Sequence, residues 1–287
     1  MTKTILNVLR QVSVISILTA GMTFVIISGG MDLTVGAYLG LTGVLAAKFM
    51  SEMGLPVFVA ILLTIIIVTL LGVVTGALIV GLNVSAIVIT LGMMTVVRGL
   101  AYIFSGGLPI YDIPESVIFL GQGYVLGIPV PVIIMIVIVL IMGLFLKKSY
   151  FGRYVYAIGG NVEAAKLAGV AVEKIIVSLY AISAFLASIA GIVLAGRISS
   201  GAPASGNGTE MDVVTAVVIG GVSVNGGKGT MLGAFLGAVI MGILSNGLTI
   251  LNIGEYYQQV VKGLVLILAV TFDVLANKER IKKVKEA

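Results

Sequence analysis

Residues 55–82 read LPVFVAILLTIIIVTLLGVVTGALIVGL, a run without one charged side chain. An α-helix rises about 1.5 Å per residue, so roughly 20 apolar residues cross the hydrocarbon core of a bilayer. This run is long enough to cross with some tilt. Similar runs recur along the whole chain, and almost every charged residue lies between them. The sequence therefore predicts an all-α, polytopic membrane helix bundle.

Nine apolar segments are predicted to cross the membrane within one transmembrane domain, residues 1–287. The strands of a membrane β-barrel are about 10 residues long and alternate in polarity, which these segments do not. Small residues at four-residue spacing, as at Gly229, Gly233 and Gly237, favour close helix packing in lipid. The predicted spans are 11–28, 33–50, 55–82, 84–105, 130–146, 175–195, 212–224, 229–250 and 255–275.

The composition excludes several classes of function. Only 10% of the 287 residues are charged and 59% are hydrophobic, whereas about 25% of the residues of a soluble protein are charged. The chain contains no Cys, His or Trp, which excludes catalysis by a thiol or an imidazole and metal binding through soft ligands. We expect no cofactor. The net charge of +5 fits the basic loops of a membrane protein, so nucleic acid is not an expected partner.

The basic residues orient the chain. Ten of the seventeen Lys and Arg residues lie in loop 147–174 and in the tail, residues 276–287. The positive-inside rule places both in the cytoplasm, while loop 106–129, without Lys or Arg, is external. Counting back puts residue 1 outside, with Lys3 and Arg10 on the unexpected side. A further helix before residue 1 would remove this conflict and give ten spans, so we expect the chain to begin late.

Two stretches of the chain resemble each other. Residues 23–30 and 215–221 are apolar runs that end in Gly-Gly, and a short polar break and a glycine-rich apolar helix follow each. Matched breaks in two halves are typical of transporters built from repeats, and they indicate a translocation path. Two simple tight turns are the alternative. The candidate path residues from these breaks are Gly29, Gly30, Gly220, Gly221 and Asn225.

Of the charged residues in or beside predicted spans, where ionisable groups are usually functional, three are considered as candidates. Asp32 is expected to cap a helix that begins at Leu33. Arg98 either reaches the external interface or lines the translocation path, for which Asp32 is also a candidate. Lys262 is a candidate to pair with a carboxylate, for which Asp273 and Asp32 are the examples considered. The few carboxylates in the spans count against a proton-coupled carrier.

Residues 220–230, GGVSVNGGKGT, superficially resemble a phosphate-binding loop. That motif needs Gly, four residues, and then Gly-Lys followed by Ser or Thr. Val222 stands where the first Gly is needed, and Gly229 stands where the Ser or Thr is needed. A nucleotide site is therefore not expected here, and any ATP that drives this protein would bind to another subunit.

Loop 147–174 is longer than a connector needs. Asn161 is a good N-cap, Gly169 would end the helix, and the residues between them that favour a short helix are Ala164, Ala165, Leu167 and Ala168. A small-residue helix between two spans can fit a groove on a partner in the cytoplasm. A plain connector is the alternative.

The same loop resembles a known family. Gly159-Gly-Asn161-x-x-Ala164-Ala165-x-x-x-Gly169 is similar to the coupling-loop signature of the permeases of monosaccharide ABC importers. Met31 and Val224 depart mildly from the family pattern. The similarity covers essentially the whole chain and is closest to the ribose permeases. Further matching motifs follow in the family's order at residues 29–36, 202–212, 220–229 and 245–248.

The resemblance implies a homodimeric pore of about ten helices per chain, with ATP-binding subunits on the cytoplasmic face and an external sugar-binding protein. It implies ATPase contacts at Asn161, Ala164, Ala165 and Gly169. The implied function is the permease subunit of an importer for ribose or a related small sugar in the plasma or inner membrane. This chain would have no catalytic residue and no metal site. An ion-coupled secondary transporter of a small polar solute is the alternative.

Overall fold

A computed structural model describes the backbone of residues 2–285 and the side chains of residues 6 and 8–275. Within these residues the regular secondary structure is helical apart from one small hairpin, in which β1 (Tyr124–Val125) pairs antiparallel with β2 (Ile128–Pro129). The helices are α1 (Thr2–Ile27), α2 (Val35–Ala47), α3 (Val57–Leu82), α4 (Ala86–Ser105), α5 (Glu115–Gln122), α6 (Val130–Lys148), α7 (Tyr150–Gly160), α8 (Val162–Leu167), α9 (Val172–Ile198), α10 (Thr209–Ile219), α11 (Met231–Ile250) and α12 (Glu255–Lys285).

In the described part of the chain, seven helices are long and apolar enough to cross a membrane. They are α1, α3, α4, α6, α9, α11 and α12. The other two predicted spans are shorter as helices. The predicted span 33–50 is α2, which a π-helical turn extends to Glu52, and the predicted span 212–224 is α10, which has only 11 residues.

A segment of consecutive turns, residues 201–208, precedes α10 and runs antiparallel to α2. A Cβ atom at Gly201 would overlap the carbonyl oxygen of Gly43, and a Cβ atom at Gly206 would overlap that of Gly36. A Cβ atom at Gly40 would lie 2.5 Å from the carbonyl oxygen of Ser205. Residues 201–210 therefore pass along the buried helix α2 before α10 begins.

The core lies around α1, α2 and the middle of α9, where nearly every side chain is buried. The outer helices differ, because α3, α4, α6, α11 and α12 expose large apolar side chains. Phe58 is 77% exposed and Leu264 is 56% exposed. An apolar surface of this extent is expected to face lipid or a partner rather than water.

Glycine lets α10 and α11 approach closely, as the sequence predicts. A Cβ atom at Gly237 would overlap the carbonyl oxygen of Ala216, and one at Gly233 would overlap that of Gly220. The small residues at four-residue spacing on α11 therefore face the backbone of α10.

Loop 106–129 forms one end of the bundle with the end of α9. The backbones of Ile110 and Gly201 exchange two hydrogen bonds, of 3.0 and 2.8 Å. The side-chain amide of Gln122 donates to the carbonyl oxygen of Arg197 at 3.0 Å. We call this the loop-106 end.

Loop 147–174 lies at the opposite end. The Tyr156 hydroxyl donates to the carbonyl oxygen of Gly229 at 2.8 Å, and the Gly227 amide donates to that of Ile27, also at 2.8 Å. Near the end of α12, the Asp273 carboxylate accepts from the Val224 amide at 3.2 Å. Loops 106–129 and 147–174 therefore lie at opposite ends of α6, as the sequence predicts. Helix α12 runs towards the end of the bundle that contains loop 147–174. The side chains of the predicted basic tail lie outside the described residues.

Candidate translocation path and coupling loop

Loop 147–174 contains two helices. The first, α7, was not predicted; the Ser149 hydroxyl caps it by accepting from the Gly152 amide at 2.9 Å. The second, α8, is the predicted short helix, and the Asn161 side chain caps it by accepting from the Ala164 amide at 3.0 Å. Gly169, with φ +81°, allows the turn that ends this helix. The predicted cap, helix and stop are confirmed.

The two faces of α8 differ. Ala165 is only 4% exposed and packs against Ile158 and Val172 in a small apolar cluster. The other predicted ATPase contacts, Asn161, Ala164 and Gly169, are exposed. Ala165 therefore holds α8 against the protein rather than presenting a surface to a partner.

The sequence interpretation used Leu167 only as a helix-forming residue and did not predict it as a contact, although its apolar side chain is 90% exposed. It lies three positions after Ala164, and therefore on the same face of α8. A leucine at that spacing was the signal available in the sequence. Ala164 and Leu167 form an exposed apolar strip at this end of the bundle.

Glycines from three segments of the chain meet beside α7. A Cβ atom at Gly159 would overlap the carbonyl oxygen of Ile27, and one at Gly226 would lie 2.9 Å from the amide nitrogen of Gly29. A Cβ atom at Gly227 would lie 3.1 Å from the Cα atom of Gly160. We call Gly29, Gly159, Gly160, Gly226 and Gly227 the glycine junction. The loop that carries α8 therefore touches both predicted Gly-Gly breaks directly.

The remaining glycines of the breaks lie close by. Gly30 packs near the Tyr180 hydroxyl, and Gly220 packs against α11. Gly221, with φ +79°, ends α10 as Gly29, with φ +84°, ends α1. Asn225 is exposed.

Tyr156 adds a hydrogen bond between this loop and the second break. Its hydroxyl donates to the carbonyl oxygen of Gly229 at 2.8 Å. Burial raises the pKa of the Tyr156 phenol, so it stays protonated and remains a donor at neutral pH.

Asp32 is fully buried but does not cap a helix. Its carboxylate accepts from the Thr34 amide at 3.0 Å and from the Thr34 hydroxyl. Helix α2 begins at Val35 with Thr34 as its N-cap, so the prediction of a cap at Leu33 was wrong. Asp32 accepts from the amide two residues ahead, which closes a tight turn before the helix instead.

Arg98 forms an ion pair with Glu210, which lies at the start of α10. Arg98 Nη2 and Glu210 Oε1 are 3.7 Å apart, and the side chains are 27% and 7% exposed. The pair links α4 to α10 inside the bundle.

Lys262 pairs with Asp212, since Nζ and Oδ2 are 2.6 Å apart. The predicted pairing with Asp273 or Asp32 was wrong. Asp273 lies eleven positions further along α12, about 16 Å away on the same helix. Because α12 packs against α10, the carboxylate that pairs with Lys262 belongs to α10.

Polar side chains line two adjoining cavities at the loop-106 end. The larger, of about 480 Å³, lies between α1, α5, α9 and α11. The smaller, of about 240 Å³, lies beside α10 and α12. Gln11 and Arg197 line both. We call the pair the polar chamber; its polar lining is Arg10, Gln11, Gln122, Arg197, Asn207, Thr209, Asp212, Asn246, Thr249 and Lys262.

The sequence analysis did not find this chamber. The predicted path residues Asp32, Arg98 and Asn225 are not among the described residues that line these two cavities, and neither are the glycines of the breaks. The available signal was weak: single amide, hydroxyl and arginine side chains near the ends of otherwise apolar helices.

Comparison with known proteins gives the family. A family model described as "Branched-chain amino acid transport system / permease component" matches residues 4–270. The ribose import permease protein RbsC of Haemophilus influenzae is 44% identical over 273 residues, which are 94% of this chain and 84% of that protein. RbsC of Bacillus subtilis is 42% identical over 271 residues, with the same coverage of 94% and 84%.

A third relative, the L-arabinose transport system permease protein AraH of Escherichia coli, is 37% identical over 269 residues, 94% of this chain and 82% of that protein. No solved structure matches the chain significantly. The resemblance to monosaccharide ABC permeases is confirmed, as is the prediction of a transport subunit rather than an enzyme. The chain belongs to the family of branched-chain amino acid transport system permease components and is a multi-pass membrane permease subunit.

Proposed function

We propose that this chain is the permease subunit of an ATP-driven importer of ribose or a related small sugar and forms its translocation path. The observation that carries the proposal is the polar chamber, a hydrogen-bonding cavity inside an otherwise apolar helix bundle. Relatives named for ribose and for L-arabinose, two neutral pentoses, support the class of solute.

The coupling loop, residues 147–174, receives the ATP-binding subunit in the cytoplasm. The exposed strip of Ala164 and Leu167, with Asn161 and Gly169 at its ends, offers an apolar contact surface for that subunit. ATP must favour one conformation of the permease over the other, because a ligand shifts an equilibrium only through differential affinity. The glycine junction gives this loop direct contact with both breaks, so its movement would reach α1, α2, α10 and α11.

The two halves of the chain are repeats that cross the membrane nine times between residues 1 and 287. Gly29 and Gly221 end α1 and α10 with similar positive φ angles, 84° and 79°. The Thr23 and Thr215 hydroxyls, at matching positions, donate to the carbonyl four residues earlier, at 2.6 and 2.7 Å. In the second half, the turns of residues 201–208 and the short α10 together make one crossing. Discontinuous helices of this kind are typical of transporter repeats.

The remaining partners follow from the same proposal. The permease lies in the plasma or inner membrane with its C-terminus and basic tail in the cytoplasm. The loop-106 end faces outward and receives a sugar-binding protein, and a second copy of the chain completes the importer. The large apolar side chains exposed on α3, α4 and α12 offer surface for both the second copy and lipid.

Reconstitution tests the proposal. Vesicles that contain this chain, its ATP-binding subunit and its binding protein should accumulate labelled D-ribose only when ATP is available to the ATP-binding subunit. Vesicles with this chain alone should not accumulate it. Accumulation by the chain alone, driven by an ion gradient, would instead support a secondary transporter and reject the ATP-driven importer.

A further inference from the structure

We infer that the polar chamber is the site where a neutral polyhydroxylated solute binds during import, with Arg197 as its principal hydrogen-bond donor. This inference rests on the proposed function and assigns its substrate site. It depends on three features of the chamber: an unpaired guanidinium, a ring of side chains that both donate and accept, and an apolar floor.

Arg197 lies where the two cavities join. It is partly buried, and its guanidinium makes no hydrogen bond or ion pair with any of the described residues. A guanidinium has five N–H donors in a planar fork, and leaving such donors unsatisfied in a partly desolvated site is costly. Two adjacent hydroxyl groups of a sugar present oxygen atoms at a spacing that such a fork can bridge. Arg197 is therefore prepared to donate to a ligand.

The neighbouring side chains complement a sugar. Gln11, Asn207 and Asn246 each offer both a donor and an acceptor, as sugar hydroxyl groups do. They come from α1, from the turn segment before α10, and from α11. Thr249 differs, because its hydroxyl already donates to the Ser245 carbonyl at 2.9 Å. The Gln122 amide likewise already donates to the Arg197 carbonyl and to the Ser199 hydroxyl, at 3.0 Å in both cases. It fixes the end of α9, which leaves Gln11, Asn207 and Asn246 for a solute.

The charges of the chamber favour a neutral solute. Lys262 and Asp212 compensate each other at 2.6 Å, and Arg10 donates to the Gln122 carbonyl at 2.5 Å and lies 4.7 Å above the Tyr124 ring. Arg10 and Arg197 leave an excess of positive charge, which repels cations. An anion between two guanidinium groups would form strong charge-assisted hydrogen bonds. A transport site must release its solute, so a neutral polyol is the better match.

Apolar side chains close the chamber towards the glycine junction. Val14, Ile15, Leu39 and Leu194 line the smaller cavity, and Val14, Ile15 and Leu39 are less than 10% exposed. Leu39 also packs against the turn segment before α10, since its Cδ2 is 3.1 Å from a Cβ position at Gly206. A solute in the chamber is thus held at the loop-106 end, and movement of α2 against that segment would open the floor.

Single-cysteine labelling tests the site directly, because the natural sequence contains no cysteine. Asn246→Cys and Thr249→Cys are introduced one at a time into the reconstituted importer and labelled from outside with a membrane-impermeant thiol reagent. Both cysteines should react, and D-ribose should slow their labelling. Ser116→Cys, which is exposed at the same end but outside the chamber, should react without protection.

Arg197→Gln, placed in the Asn246→Cys background, tests the donor. Loss of its charged hydrogen bonds should weaken ribose protection roughly 10- to 100-fold, with unchanged assembly of the importer. Lys48→Gln removes another cation at the same end. In this variant, ribose should protect the cysteine of Asn246→Cys as well as it does when Lys48 is present. Protection that persists unchanged in Arg197→Gln would overturn the role of Arg197.

The outcomes separate this inference from the proposed function. Ribose uptake without protection of either cysteine overturns the site and leaves the importer standing. Protection by ribose without ATP-dependent uptake rejects the importer and retains the site. Protection by the anion D-ribonate, at lower concentration than ribose, overturns the neutral polyol as the solute.

Discussion

At the scale of the residue, the ion pair of Lys262 and Asp212 ties α12 to α10. The side chains are only 23% and 13% exposed. Removing one partner leaves an uncompensated charge in this site, which is worse than removing both charges. We expect Lys262→Met to lower the free energy of unfolding by roughly 2 kcal/mol, and the double variant Asp212→Asn/Lys262→Met to recover part of this loss. Thermal unfolding in detergent measures both, and a double variant less stable than the single one would contradict this role.

Gly159 and its neighbour Gly160 make a matched pair at the glycine junction. A methyl group at Gly159 would overlap the Ile27 carbonyl oxygen, whereas one at Gly160 meets none of the described atoms within 4 Å. Overpacking of this kind costs about 1–3 kcal/mol. Gly159→Ala should therefore reduce ribose uptake and stability strongly, and Gly160→Ala should reduce neither. Equal effects of the two substitutions on uptake would show that close packing at this junction is unimportant.

At the scale of the element, helix α8 is where coupling to the ATP-binding subunit is tested. Leu167 is 90% exposed on its outer face, so a charge there should not disturb the fold. Leu167→Glu should prevent ATP-driven uptake and weaken co-purification of the ATP-binding subunit, while membrane insertion stays normal. Leu126→Glu, at an equally exposed leucine of the opposite end, should keep the ATP-binding subunit bound.

Ala165 would give a less specific result, because it is buried against Ile158 and Val172. A bulky charge at Ala165 would displace α8 from the protein and remove activity for reasons of packing. Normal uptake by Leu167→Glu would therefore count more heavily against the coupling role than any result at Ala165.

Local structure within an element was largely predictable. Long apolar runs become helices because lipid leaves the backbone no other partner, and seven helices satisfy this rule in the described residues. The cap at Asn161 and the stop at Gly169 depend only on neighbouring residues, so they could be predicted too. Helix α7 was missed because Gly-rich and aromatic residues, Tyr150–Gly160, give no strong helical pattern.

At the scale of the whole molecule, the contacts that the sequence analysis did not predict join residues that are far apart in the chain. Lys262 and Asp212 are 50 positions apart, and only the packing of α12 on α10 brings them together. The polar chamber is assembled from seven helices and a nonhelical segment, none of which shows a motif. The predicted Gly-Gly breaks, by contrast, meet each other and the coupling loop, because glycine in each lets the backbones touch.

Coupling between the two ends of the bundle is the central claim, and one measurement tests it most directly. In vesicles with the complete importer, the labelling rate of Asn246→Cys from outside is measured twice. ADP is bound to the ATP-binding subunit in one measurement, and a nonhydrolysable ATP analogue is bound in the other. The rate should change several-fold between the nucleotides, and Leu167→Glu should abolish the change. A labelling rate that is the same with both nucleotides in an importer that still takes up ribose would contradict coupling through α8.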